Sequence, residues 1–156
     1  MKRLNEYIKP YTQRYDWSCG AATLLVCYRT LGIEDYTEEE LIKELETSKG
    51  GTYWENMKNH PTELGFEVRA EENADLNKLE KVFKKGYPVV AFWMDDRNGF
   101  VEPHYSVIKH IDKNKVVLVD TTWGDLIEFT KEEWLTRWDN GEGMKFFMTI
   151  LPGVSN

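Results

Sequence analysis

The sequence predicts an α+β fold in which helices pack on an antiparallel sheet. Helix signals crowd the first half of the chain and strand signals the second, an order that suits α+β architecture and not alternating β-α units. The run Ala21-Ala22-Thr23-Leu24-Leu25-Val26-Cys27-Tyr28 is apolar nearly all round, which marks a central, buried helix. Strand-like segments near the C-terminus follow one another across short turn-forming stretches, as antiparallel neighbours do.

Taken in order, Ser18 is placed to cap the first helix, which ends at Leu31-Gly32. Three later segments open with a capping box: Thr37 with Glu40, Thr52 with Glu55, and Thr130 with Glu133. In such a box a threonine hydroxyl and a glutamate carboxylate each satisfy a backbone N–H that the first helical turn leaves open. The first of these helices runs to about Thr47. The second runs to about Leu64, with Pro61 as a kink point and Gly65 as a left-handed cap. A fourth helix, about Asp75 to Lys85, stops at Gly86. Strand signals occupy Phe66 to Arg69, Pro88 to Met94, Tyr105 to Ile111, Lys115 to Asp120, Leu126 to Phe129 and Lys145 to Leu151. Lys49-Gly50-Gly51 and Asp95-Asp96-Arg97-Asn98-Gly99 read as the most mobile loops, and the second is placed to border a cleft ahead of His104.

Composition narrows the function. A chain of 156 residues, 41% hydrophobic and 13% aromatic, has core material for one domain spanning 1–156 without disulfides or structural metal. Its two cysteines, Cys19 and Cys27, fall in one predicted helix and lie roughly 12 Å apart along its axis, too far to pair. Free thiols point to the cytoplasm. Met1-Lys2-Arg3-Leu4-Asn5-Glu6 is followed by no apolar stretch of signal or membrane length, so no membrane span is expected. A net charge of -7 argues against a nucleic-acid partner, since phosphate neutralisation needs a basic face. No Cys or His pair has ligand spacing such as C-x-x-C or H-E-x-x-H, so neither metal nor cofactor is expected.

Cys19 is the chemically telling residue. It sits at a helix N-terminus, where open backbone N–H groups and the helix dipole favour a thiolate. His104 opens one strand segment and Asp120 closes the next, so a base and an orienting carboxylate are available. Whether they meet depends on register, because side chains alternate with period 2. A three-residue loop, Asp112-Lys113-Asn114, sets Ile111 opposite Lys115 and Ser106 opposite Asp120, and puts His104 and Asp120 on one face. A four-residue loop turns Asp120 away unless a bulge intervenes. Asn114 suits the left-handed last position of the shorter loop, so a three-residue turn or a compensating bulge is expected. In this arrangement Cys19 is the nucleophile, His104 the base and Asp120 the orienting group. Gln13 supplies a side-chain N–H to the oxyanion beside the backbone N–H of Cys19.

The segment from Gln13 to Ala22, the segment His104-Tyr105-Ser106-Val107-Ile108 and the closing Val117-Leu118-Val119-Asp120 resemble the bacteriocin-processing, double-glycine leader peptidases, family C39 of the papain-like cysteine peptidases. Gly50-Gly51-Thr52, Leu64-Gly65-Phe66 and Gly86-Tyr87-Pro88-Val89-Val90 are similar to that family's order of elements. The resemblance implies a papain-like fold and a cysteine peptidase that cleaves peptide or amide bonds of a peptide or protein substrate through an acyl-enzyme. It implies the same roles for Cys19, His104, Asp120 and Gln13. Where the family often has an acid before the nucleophile and a proline after the aspartate, this chain has Ser18 and Thr121. Two rivals share the fold: a thiol enzyme of acyltransferase or transglutaminase type, and a non-catalytic peptide-binding domain.

Other residues read as structural. Cys27 faces the apolar interior. His110 is a surface or turn-flanking histidine, and His60 is placed to contact helix C-terminal carbonyls. Trp54, Trp93, Trp123, Trp134 and Trp138 are expected in the core, with Trp123 also close enough to shield the His104–Asp120 contact. Trp17 either walls the cleft or packs in the core. Glu38-Glu39-Glu40 reads as a helix N-terminus complementing its dipole.

Overall fold

The computed structural model describes residues 3–139 and 144–153; Met1 and Lys2, the start of the segment read above for a signal, lie outside them. After a short 3-10 helix at Leu4–Tyr7 come α1 (Cys19–Thr30), α2 (Glu38–Glu44), α3 (Trp54–Glu63), β1 (Glu67–Glu71), α4 (Leu76–Lys84), β2 (Val89–Asp95), β3 (Glu102–Ile111), β4 (Lys115–Asp120), β5 (Asp125–Thr130), α5 (Lys131–Trp138) and β6 (Phe147–Leu151). The strands form a six-stranded sheet in the order β1-β6-β2-β3-β4-β5, with every neighbouring pair antiparallel. This is the α+β architecture expected.

Local chemistry explains most element ends. The boxes of Thr37 with Glu40 and Thr130 with Glu133 both form, and Asp75 caps α4 by accepting from Lys78 N–H. Each such cap is worth about 1 kcal/mol. The third box does not form: α3 begins one residue later, behind Tyr53, and Thr52 instead bonds Thr47, with 2.7 Å between hydroxyl oxygens. Pro61 sits inside α3 without ending it, and Gly65, at φ 97°, turns the chain out. Ser18 precedes α1 as expected, but its hydroxyl makes no cap bond and is engaged elsewhere.

Core residues fall into two clusters, one on each face of the sheet. Leu24, Leu25, Tyr28 and Leu41 from α1 and α2 meet Val90, Val107, Val119 and Met148 on one side. Leu79, Phe83, Trp134 and Trp138 from α4 and α5 meet Val89, Ala91, Ile108, Leu118 and Phe147 on the other. Successive residues of β2 therefore alternate between two buried clusters, which is why Val89 to Trp93 reads as an unbroken apolar run. Helices cover the sheet from both sides, not from the N-terminal half alone.

Trp93, Trp134 and Trp138 are fully buried as expected, but Trp54 and Trp123 are not, at 36% and 54% exposure. His60 corrects its reading: it does not meet helix-terminal carbonyls through its side chain. Its Nδ1 lies 2.5 Å from Tyr28 Oη and its Nε2 3.2 Å from Glu44, a buried polar bridge between α1, α2 and α3. Cys27 is buried in the core, and His110 sits at the surface beside the β3–β4 turn, paired with Asp112.

Candidate active site

The β3–β4 turn decides whether His104 and Asp120 can meet. Ile111 pairs with Val116, so the turn is one residue longer than the three-residue form, and Asn114 is not left-handed. Asp112 replaces that geometry: its Oδ1 accepts from the N–H groups of Asn114 and Lys115 at 2.7 and 3.0 Å. The register then shifts between Ile108 and His110, leaving Lys109 as the extra residue of a β-bulge. Lys109 is held there by its Nζ, which donates to Glu6 O at 2.6 Å. Beyond the bulge Ile108 faces Leu118 and Val107 faces Val119, which restores the parity of the shorter turn. His104 Nε2 and Asp120 Oδ1 consequently lie 3.3 Å apart, both residues buried.

Cys19 reaches this pair from the opposite side. It is the first residue of α1, half-buried, and its sulfur contacts the His104 ring and the backbone N–H of Tyr105. Since His104 Nε2 faces Asp120, Nδ1 is left for the sulfur. Residue 20 must be glycine for α1 to sit here, because a Cβ on Gly20 would come within 2.5 Å of Thr52 Oγ1.

The approach to α1 is held by a buried acid. Glu38, 2% exposed, accepts from Tyr11 Oη at 2.7 Å and from Arg14 N–H at 3.1 Å, and lies 2.6 Å from Ser18 Oγ. The acidic run therefore does more than complement the dipole of a helix N-terminus. Glu39 pairs at the surface with Arg14 and Tyr15, Glu40 closes the capping box, and Glu38 ties the Gln13–Cys19 segment to α2. It also brings a carboxylate to Ser18, the position at which the resemblance led to an acidic residue. Glu38→Gln replaces one acceptor oxygen by a donor and strands part of this network. It is expected to cost about 1–3 kcal/mol in a urea titration. An unchanged midpoint would show that the network carries no stability.

Asp120 is fully buried and still ionised. Burial pushes its carboxyl up, but bonds from His104, Arg97 and Thr122 N–H hold it far below the usual carboxylate range. For His104 burial lowers the pKa, yet the bonds to Asp120 and Cys19 outweigh it and raise it to about 9. Burial likewise pushes the Cys19 thiol up, and the hydrogen bond and charge of His104 outweigh that, leaving it lowered. Cys27, buried without such a partner, moves the other way. The two cysteines of one helix are thus shifted in opposite directions, Cys19 down by its imidazole neighbour and Cys27 up by burial.

The Gln13 side chain is bonded to groups on both sides of it. Its Nε2 donates to Tyr15 O at 2.8 Å and is 3.3 Å from Asp16 O, while its Oε1 accepts from Thr121 Oγ1 at 2.8 Å. Thr121, where the resemblance led to proline, is thus the group that orients the amide.

Cys19 and His104 open into a cleft of about 710 Å³ also lined by Asp16, Trp17, Gly50, Gly51, Asp95 and Trp123. That volume suits a bound peptide segment. Trp17, stacked on Tyr15 with centroids 4.8 Å apart, walls the cleft. A smaller cavity of about 320 Å³ among Arg69, Lys78, Val82 and Phe147 is lined by neither cysteine nor histidine. Among the described residues no group of His, Cys, Asp and Glu could hold a metal ion.

The match to a family model decides the classification: residues 8–143 match the Peptidase C39 family. The chain belongs to the peptidase C39 family. Its fold is that of C39 peptidase domains. The peptidase domain of Streptococcus ComA, a bifunctional ABC transporter involved in quorum sensing, superimposes with a TM-score of 0.74 at 22% identity, covering 93% of this chain and 98% of that one. A double-glycine-motif protease from an AMS/PCAT transporter, in complex with its leader peptide, gives 0.71 at 19%, covering 92% and 91%. A C39-like peptidase from Bacillus anthracis gives 0.75 at 14%, covering 96% and 97%. Among curated proteins none matches the chain. Family and fold support a peptidase of cysteine type. No helix among the described residues is long and apolar enough to cross a membrane.

Sequence reasoning missed Arg97, Asp95 and Thr122 at this site. Arg97 bridges Asp95 and Asp120, and Thr122 donates its N–H to Asp120 Oδ1 at 3.1 Å. The Asp95–Gly99 stretch reads in the sequence as a mobile loop bordering a cleft; Asp95 and Asn98 do line the cleft, but ion pairs tie down Asp95, Asp96 and Arg97. A charged turn directly before the candidate histidine was the available signal.

Proposed function

We propose that this C39 member is a cysteine peptidase in which Cys19 attacks the carbonyl carbon of a peptide bond, His104 shuttles the proton, and Asp120 orients the ring. The observation that carries this reading is the chain of contacts from Cys19 through His104 to Asp120 at the floor of a peptide-sized cleft. The imidazole of His104 favours the thiolate of Cys19, and attack of that thiolate forms the C–S bond. Collapse of the tetrahedral intermediate breaks the C–N bond, and the His104 imidazolium gives its proton to the departing amine. Water, deprotonated by the now neutral His104, then attacks the thioester and releases the second product and the thiolate.

The developing oxyanion is received by the backbone N–H of Cys19 and by Gln13. The weaker of the two carbonyl contacts of the Gln13 amide, the 3.3 Å one to Asp16 O, is the one given up to the substrate. The substrate class is a peptide or protein chain, as the leader peptide bound to the AMS/PCAT relative supports. A single domain in the cytoplasm, where thiols stay reduced, fits this reading.

Incubation with a peptide library, read by mass spectrometry, tests the proposal. Cleavage by the wild type that Cys19→Ala lacks supports it. Binding without cleavage by either protein would make the domain a peptide-binding module instead. Gln13→Ala is expected to lower kcat by about 10²–10³-fold, the effect of losing one oxyanion donor. Unaltered kcat in that variant would confine Gln13 to its bonds with Tyr15 and Thr121.

A further inference from the structure

Arg97, on the β2–β3 connection, spans two buried carboxylates. Its Nη1 donates to Asp120 Oδ2 at 3.1 Å, while Nε and Nη2 fork onto Asp95 Oδ1 and Oδ2 at 2.8 and 2.7 Å. The guanidinium lies between two indoles, 5.6 Å from the ring centroid of Trp93 and 5.0 Å from that of Trp123. With Oδ2 of Asp120 taken by Arg97, Oδ1 is left for His104 and Thr122 N–H. Rotation of the carboxylate away from the imidazole would break bonds at both oxygens. Next to Arg97, Asp96 pairs with Arg137 of α5, and Asn98, Phe100, Glu102 and Pro103 of the same segment line the cleft.

We propose that Arg97 is a positioning residue for the Cys19 site: it holds Asp120 in the rotamer that faces His104, and its charge favours the thiolate form of Cys19. This rests on the reading of Cys19 as a nucleophile. The charged group on the sulfur is His104 on β3, which connects through Asp120 on β4 to Arg97 and to Asp95 on β2, and Asp95 also lines the cleft with Cys19. Tyr105 lies against the sulfur, and Asp16, Lys49 and Glu102 line the open part of the cleft, where solvent screens them. Loss of Arg97 removes a cation and frees Asp120 from its orientation toward His104. Each change makes the thiolate harder to form, so the Cys19 titration moves to higher pH. Loss of the Asp95 charge acts with the opposite sign, because it leaves the guanidinium less neutralised.

The test is the pH dependence of iodoacetamide alkylation at Cys19, read by peptide mass spectrometry on the full chain. Wild type, Arg97→Gln, Arg97→Lys and Asp95→Asn are compared, each with a thermal melt. The midpoint is expected to rise by about half a pH unit or more in Arg97→Gln. In Arg97→Lys it rises less, since lysine keeps the charge but cannot fork across two carboxylates, and in Asp95→Asn it falls. A merely structural role would lower the melting temperature without moving the midpoint. Should Arg97→Gln fail to fold, the opposite shifts of Arg97→Lys and Asp95→Asn carry the test. A low wild-type midpoint with unshifted variants overturns the role of Arg97 alone. An ordinary thiol midpoint in the wild type overturns both this role and the nucleophile reading.

Discussion

Cys19→Ala is expected to abolish peptide cleavage, with kcat falling by about four orders of magnitude or more, while the fold stays intact. The loss is large because every covalent step runs through one sulfur, and neither the oxyanion donors nor the imidazole can substitute for it. Stability should change by no more than about 1 kcal/mol, since the residue is half-buried at the first position of α1 and alanine suits a helix. His104 keeps its bond to Asp120 in the variant, so no buried charge is left without a partner. Cleavage assays beside a circular-dichroism melt check both halves. A folded variant that still cleaves would remove Cys19 from the chemistry.

His104→Ala is expected to produce the second largest effect, on reactivity as well as turnover. In the wild type His104 holds its proton to about pH 9, and its hydrogen bond and charge lower the Cys19 thiol. Without the imidazole the thiol returns to about 8.5 or above, because burial then acts unopposed. At pH 6 a thiol of that pKa is thiolate in only about one molecule in three hundred. Alkylation of Cys19 at pH 6 should therefore drop about a hundredfold and approach the slow rate of buried Cys27. Peptide turnover should disappear with it. In the wild type, turnover should decline as pH rises through about 9, where His104 loses the proton it gives to the leaving amine. Equal labelling of wild type and variant at pH 6 would mean that the ring does not activate the sulfur.

Asp120 shows how local sequence and long-range packing divided the work. Its place at the end of a strand was legible from Val116-Val117-Leu118-Val119, and its face depended on a parity that a bulge could repair. The repair comes from Lys109, which is anchored to carbonyl oxygens of the 3-10 helix and the segment after it, about a hundred residues earlier in the chain. No window around the turn contains that information. The same holds for Thr52: its capping box fits the local pattern, yet the hydroxyl bonds Thr47 and lies against Gly20. Trp123 is expected in the core, yet it is more than half exposed and its ring lies 5.0 Å from the guanidinium of Arg97 on another loop.

The order of helices before strands, the apolar α1 with a cysteine at its start, two of the three boxed helix starts and the antiparallel sheet follow from period, propensity and capping, which act over a few residues. These made the fold class and the family resemblance readable from residues alone. Only the tertiary structure decided that Glu38 is buried beneath Ser18, that the Gln13 amide is bonded to neighbouring carbonyls, and that Arg97 links Asp95 to Asp120. Each of these depends on charged or polar side chains meeting across distant segments in a low-dielectric interior. There a single ionised partner outweighs local preference, and its identity is set by the assembled fold.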